Sequence, residues 1–232
     1  MRGVAVAGAL TLAFAPRNAH AEPVYALFLA DELEVQGPDS EVPIAWDTLA
    51  WIGGNQNRVW LKTEGDLDLA SASGEVEAQL LYSRLIAPFW ELQVGARADY
   101  LTNGVDRGFL VLGLEGLAPY WFEIEPAIFI SHRGELSARL VASHDVFITQ
   151  RLIAQPSIEA NLNLQAVPDA FEGAGPTDLI IGARVRYEAR REFAPYLGFE
   201  YEQLLLDTAT MAVDAGSTSR TIRGVAGLRL WY

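Results

Sequence analysis

Residues 119–132 read Pro-Tyr-Trp-Phe-Glu-Ile-Glu-Pro-Ala-Ile-Phe-Ile-Ser-His, and their spacing decides the fold. Tyr120, Phe122, Ile124, Ile128 and Ile130 take the even positions; Glu123, Glu125 and Ser131 take odd ones. Side chains alternating with period two point to opposite faces of an extended chain, so this is a strand with one apolar and one polar face. The pattern recurs at 151–163, where Gln155, Ser157, Glu159 and Asn161 interleave with Leu152, Ala154, Ile158 and Ala160. It recurs again at 179–188, where Arg184 and Arg186 alternate with Ala183, Val185 and Tyr187, and at 219–232, where Arg223 and Arg229 alternate with Ile222, Leu228 and Leu230.

Extending this reading along the chain predicts twelve strands, at 24–35, 42–53, 58–68, 75–86, 88–100, 107–116, 119–131, 134–148, 150–164, 177–190, 194–205 and 219–232. Each is long enough to cross a bilayer as a tilted strand, which takes roughly 9–11 residues; strands of soluble sandwiches run to about 5–6. Half of the residues are hydrophobic, yet no run of 18 apolar residues follows the N-terminus, which argues against spanning helices. The fold class expected is all-β: a transmembrane antiparallel β-barrel of about twelve strands, with lipid on the apolar face and the polar face lining a lumen.

The first 21 residues read as a secretory signal. Arg2 gives a positive start, Gly3 to Ala15 form a short apolar stretch, and Ala19-His20-Ala21 fits the small-x-small cleavage rule, placing the cut before Glu22. The barrel is then expected over 22–232. Acids outnumber Lys and Arg by 30 to 17 in the whole chain, a balance that repels the phosphates of nucleic acid and suits cations. Cysteine is absent, which excludes disulfides and thiolate metal sites.

The connections carry a second signal. With strand 1 starting on the periplasmic side, the two longest connections, 165–176 and 206–218, both fall on the extracellular side, while the tight turns at 86–88, 117–119 and 193–195 fall on the periplasmic side. Short periplasmic turns with longer outer loops mark bacterial barrels. Phe89, Trp90, Tyr120, Trp121, Phe122, Phe193, Tyr196, Trp231 and Tyr232 would form an aromatic girdle at the short-turn end. The polar face would place Glu64, Glu77, Glu91, Glu123 and Glu125 in the lumen, interleaved with Arg97, Arg139, Arg184 and Arg223 as cross-lumen ion pairs. These carboxylates are the acidic candidates for weak cation binding through hard oxygen donors.

The phrases WDTLAWIGGNQNRVWLKTEGD (46–66), EVEAQLLYSRLIAPFWELQVGARAD (75–99), LGLEGLAPYWFEIE (112–125), TQRLIAQP (149–156), RYEARREFAPYLGFEYE (186–202) and GVAGLRLWY (224–232) resemble the copper resistance protein B family of outer-membrane proteins. The resemblance covers nearly all of the chain after residue 21. It implies a twelve-stranded barrel in the outer membrane of a Gram-negative bacterium. It also implies copper ions as the bound or transported species, and a periplasmic multicopper oxidase as partner. Members often carry a Met- and His-rich segment ahead of the barrel; here only Glu22 and Pro23 stand between the predicted cleavage point and the first strand.

Soft or imidazole ligands for copper reduce, after residue 21, to His132, His144 and Met211. His132 sits at a predicted outer turn. Strand phase puts His144 near the apolar face, where it is either a packed interfacial residue or a ligand. Met211 lies in the longest loop. Ser143 and His144 are adjacent and so point to opposite faces; no nucleophile motif accompanies them, and the chain is not expected to be an enzyme. Three functions remain: a copper-linked barrel, a general small-solute porin or structural barrel without metal specificity, and a lipid-acting outer-membrane enzyme.

Overall fold

The computed structural model describes residues 23–37, 44–68, 73–102, 104–190 and 192–232. The predicted signal peptide at 1–21 lies outside the described residues. The strands are β1 (Tyr25–Gly37), β2 (Ile44–Gly53), β3 (Asn57–Asp68), β4 (Ser73–Ala87), β5 (Trp90–Leu101), β6 (Arg107–Ala118), β7 (Phe122–Ser131), β8 (Leu136–His144), β9 (Val146–Phe147), β10 (Leu152–Asn163), β11 (Gly175–Tyr187), β12 (Phe193–Leu204) and β13 (Arg220–Trp231). β8 and β9 are one crossing interrupted at Asp145: Ser143 opposes Ser157 and Val146 opposes Ala154 on β10, so the register runs through. The sheet therefore makes twelve crossings.

Every neighbouring pair is antiparallel, and β1 pairs with β13 from Leu29↔Trp231 to Gly37↔Gly224, which closes the barrel. The seam continues past the last strand: Phe28 and Tyr232 exchange two backbone hydrogen bonds of 2.9 Å. Closure leaves no unpaired edge, the condition for a sheet in hydrocarbon. The alternating apolar residues face outward: Leu61, Leu80, Leu110, Ile128 and Leu197 are exposed, the last two-thirds so at 68%. In water such a surface would aggregate; against lipid it is the matching solvent.

The long connections 164–174 and 205–219 share one end of the barrel, and the short turns and both described termini share the other, as the strand count requires. The longest connection folds a helix, α1 (Leu206–Asp214), which packs on β11. Gly173 donates its N–H to the Thr208 hydroxyl at 2.9 Å, tying the two long loops together.

Some expected boundaries shift. Residues 119–121 form a 3-10 turn, and β7 begins at Phe122. Phe193-Ala194-Pro195 belongs to β12 and not to a turn, and β11 ends at Tyr187. Tyr196 consequently leaves the girdle. It shares the lumen phase of Ala194 and Glu200 and is 5% exposed. Gly227 makes room for its ring: a Cβ there would come 2.5 Å from the Tyr196 hydroxyl and 2.6 Å from the Leu33 carbonyl oxygen. Because the backbone contact cannot swing aside, Gly227→Ala should destabilise the barrel by about 1–3 kcal/mol through overpacking, read as a lower denaturant midpoint in detergent.

Candidate functional site: the charged lumen

The inward face of each strand supplies the lumen. From β3 come Arg58, Trp60, Lys62 and Glu64; from β4 Glu77, Leu81 and Ser83; from β7 Glu123, Glu125 and Phe129. Part of this interior is dry. Trp60, Leu81, Phe109, Val111 and Phe129 form a buried cluster against the β3–β7 wall. Trp60 donates its indole N–H to the Ser83 hydroxyl at 2.9 Å, and Ser83 donates to Glu91 at 2.6 Å.

The rest holds a cavity of about 690 Å³, lined by twelve carboxylates against five cationic side chains. Two ties cross it. Lys62 Nζ reaches Glu115 on β6 at 2.9 Å and Glu125 on β7 at 2.8 Å. Arg139 on β8 reaches Glu77 on β4 at 3.0 Å and Glu64 on β3 at 3.2 Å, and contacts Glu159 on β10 at 3.3 Å. Glu77 also pairs with Arg97 at 2.7 Å, and Glu91 with Arg58 at 2.6 Å. Of the five acidic candidates, Glu64, Glu77, Glu91 and Glu125 are thus held by cations. Among the described residues Glu123 has only the Ser143 hydroxyl, at 3.4 Å.

A further acidic group escaped the reading of strand phase. Asp31, Glu32 and Glu34 lie on β1, and Asp47 lies opposite Glu32 on β2. The β1 register slips against both neighbours between Ala30 and Glu34. That irregularity turns consecutive acids inward: Asp31 and Glu32 both line the cavity. Arg229 pairs with Asp31 at 2.8 Å, while Arg184 pairs with Glu32 at 2.7 Å and Glu34 at 2.6 Å. The signal was present in Ala30-Asp31-Glu32-Leu33-Glu34, where two adjacent acids break an otherwise strict alternation, as a bulge does.

The three copper-ligand candidates do not come together. His132 follows β7 at the long-loop end, where the Gly108 N–H donates to its Nδ1 at 3.3 Å. His144 ends β8 at the opposite end, roughly 30 Å away at the rise of a strand. Its ring stacks on Phe122, with centroids 4.7 Å apart, and its Nδ1 lies 3.2 Å from the Trp121 carbonyl oxygen. Phe122 is outward-facing and exposed, so His144 belongs to the aromatic belt. Met211 sits in α1. Among the described residues no three His, Asp or Glu side chains are grouped to chelate one ion.

Known proteins give the same architecture a family. The model of the family "Copper resistance protein B precursor (CopB)" matches residues 24–232. The chain belongs to the copper resistance protein B family. Copper resistance protein B of Escherichia coli is 39% identical over 92% of this chain and 71% of its own length. The copper resistance protein B homolog of Pseudomonas syringae pv. tomato (strain ATCC BAA-871 / DC3000) is 33% identical over 92% of this chain and 72% of its own length. Among solved structures, a NanC porin superposes with a TM-score of 0.52 at 11% identity, covering 90% of this chain and all of that one; this likeness speaks for the porin-type barrel fold.

Two outcomes follow from the site's electrostatics. Arg139→Gln leaves Glu64, Glu77 and Glu159 sharing less positive charge, and should lower stability by roughly 1–3 kcal/mol, discounted for the half-exposed Glu64; urea unfolding in micelles measures it. In the β7–β8 connection, the Ser131 hydroxyl and Arg107 hydrogen-bond Glu135 and hold its carboxyl below the usual carboxylate range. A depressed folded value means the contribution is full above the unfolded value of about 4.3 and fades as pH falls through the folded one. Protease nicking at 131–136 should therefore rise below about pH 4 in the wild type, and Glu135→Gln should remove that dependence.

Proposed function

We propose that this barrel sits in the bacterial outer membrane and takes copper ions into its charged lumen, binding them or letting them pass. The carrying observation is the lumen cavity, in which twelve carboxylates face five cations. An interior with a surplus of one sign between low-dielectric walls concentrates counter-ions. Family membership supplies the metal; the field supplies a preference for cations over anions. Oxygen donors accept Cu(II) more readily than Cu(I), which favours soft thioethers, and Met211 is one thioether alone. Cu(II) is therefore the form the lumen suits, held weakly by several carboxylates and not by a compact chelate. The periplasmic multicopper oxidase implied by the resemblance would be the partner that meets this copper on the inner side.

A porin without metal specificity is the second reading, favoured by the porin-type fold. Purified barrel in liposomes separates the two when offered Cu(II), Mg(II) and a small sugar. The copper reading expects copper to be retained on the barrel side in equilibrium dialysis and the sugar to be excluded from the liposomes; equal passage of all three would leave the porin. Glu123→Gln with Glu125→Gln should reduce the retained copper several-fold, while His132→Ala, His144→Ala and Met211→Leu together leave most of it. The reverse result would return the site to the histidines and the methionine.

A further inference from the structure

The open and the filled parts of the lumen are unevenly distributed along the barrel. At the long-loop end the cavity reaches Asp66 and Glu75, near the ends of β3 and β4, and Ser217 and Thr218 beyond α1. It extends down to Glu123 and Ser143. Toward the short turns the interior is packed. Ile153 and Ala194, each the second residue of its strand at that end, are 1% and 0% exposed. Ser83, clamped between Trp60 and Glu91, is 0% exposed.

Ion pairs complete this layer. Arg58 binds Glu91 at 2.6 Å and lies over Trp51, 4.2 Å from the ring centre. Arg186 forks onto the Asp145 carboxylate from β11, exactly where the eighth crossing is interrupted, and Arg229 binds Asp31 at 2.8 Å. Arg58, Glu91, Asp145, Arg186 and Arg229 all lie within three residues of the short-turn end of their crossings. The layer draws on β3 to β5 and on the eighth crossing through β13, and its charges are neutralised in pairs; along β7 the cavity reaches as low as Glu123, the second residue of that strand. The acids above it outnumber their cations.

We propose that the lumen is a one-ended cation vestibule, reached from the long-loop end and closed at the short-turn end by this floor of apolar side chains and paired charges. Cations collect in the vestibule and are held there; passage onward requires the floor to open. The inference rests on the cation reading above for its cargo, but its geometry is tested without copper.

The chain has no cysteine, so single Ser→Cys substitutions report access directly. Ser157 and Ser143 line the cavity, and Ser83 lies in the floor. The purified barrel carrying S157C, S143C or S83C is treated with a trimethylammonium and, separately, a sulfonate methanethiosulfonate. In each case the thiolate forms a mixed disulfide and methanesulfinate leaves, and the adduct is counted by mass. Folding of each variant is checked by its heat-dependent gel mobility, and the two vestibule positions back each other.

S157C and S143C should react, at least about tenfold faster with the cationic reagent, the lower end of what a focused field gives. S83C should stay unmodified until the barrel is unfolded. In planar bilayers the wild type should carry no steady potassium current, and Arg186→Ala, which removes one side of the floor, should raise it. Equal labelling of S83C and S157C, a faster anionic reagent at S157C, or a steady open-channel current in the wild type would overturn the vestibule. If the labelling contrast holds while copper is neither retained nor transported, the vestibule stands and the copper reading falls.

Discussion

One constraint governs this molecule: inside hydrocarbon, a backbone N–H or C=O without a partner costs several kcal/mol. A sheet meets that condition only by closing, and the β1–β13 seam closes it. Once the ring is closed, period-two alternation has one stable orientation. The uniformly apolar face goes to lipid, and the face that carries the charged set goes inside. A slip of one residue would reverse every side chain, putting Arg139, Glu77 and Glu64 into the bilayer. The register is therefore fixed by the cost of that exchange more than by any single contact.

The same constraint explains the lumen. Eight strands leave an interior that side chains just fill, and sixteen or more leave a channel. Twelve crossings lie between, and this chain divides the space they enclose. Aromatic and aliphatic residues of β3–β7 fill one wall, with arginines laid over the rings: Arg97 sits 4.8 Å from the centre of Phe129 and 5.1 Å from that of Phe109. Charges flank the remainder, most of them in pairs. An arginine that meets acids from three strands, as Arg139 does, does what no hydrophobic contact across a gap of this width would do: it joins distant walls directionally. Its net contribution is modest because desolvation opposes it, but its geometry specifies which strands face each other.

Sequence pattern carried the architecture well because bilayer crossing demands long alternation, and Phe122–Ser131 and Leu152–Asn163 show it with only Ala127, Phe129 and Ile153 as apolar residues on the polar face. It failed where backbone geometry departs from a regular strand. The β1 irregularity put Asp31 and Glu32 on one face, and phase counting assigns adjacent residues to opposite faces. Tyr196 was misplaced for a related reason: reading Phe193-Ala194-Pro195 as a turn moved the aromatic to the rim, whereas the strand already begins at Phe193 and carries Tyr196 inside. α1 was hidden because Leu206–Asp214 is a short helix whose stability comes from packing on β11 and from the Gly173–Thr208 hydrogen bond, and such tertiary contacts leave no local period to read. The pairing of specific acids with specific arginines was out of reach altogether, since it depends on which walls of the ring face one another.

The donor chemistry defines what such a lumen contributes to a copper resistance protein. Selecting copper over calcium or magnesium takes imidazole or sulfur held in a set geometry, and here the two histidines outside the predicted signal stand at opposite ends of the β7–β8 hairpin. Carboxylates select by charge and not by softness, so under the function proposed above this interior would rank cations above anions and sugars without singling out one metal. Its contribution under that proposal would be local concentration: a field from surplus acids, acting in a confined space, would raise the occupancy of whatever divalent ion is abundant outside. Discrimination then belongs to soft ligands met before or after the barrel. A chain with few of its own is suited to the step between, where weak binding is an advantage because a cation held by several hard oxygens is also released by them.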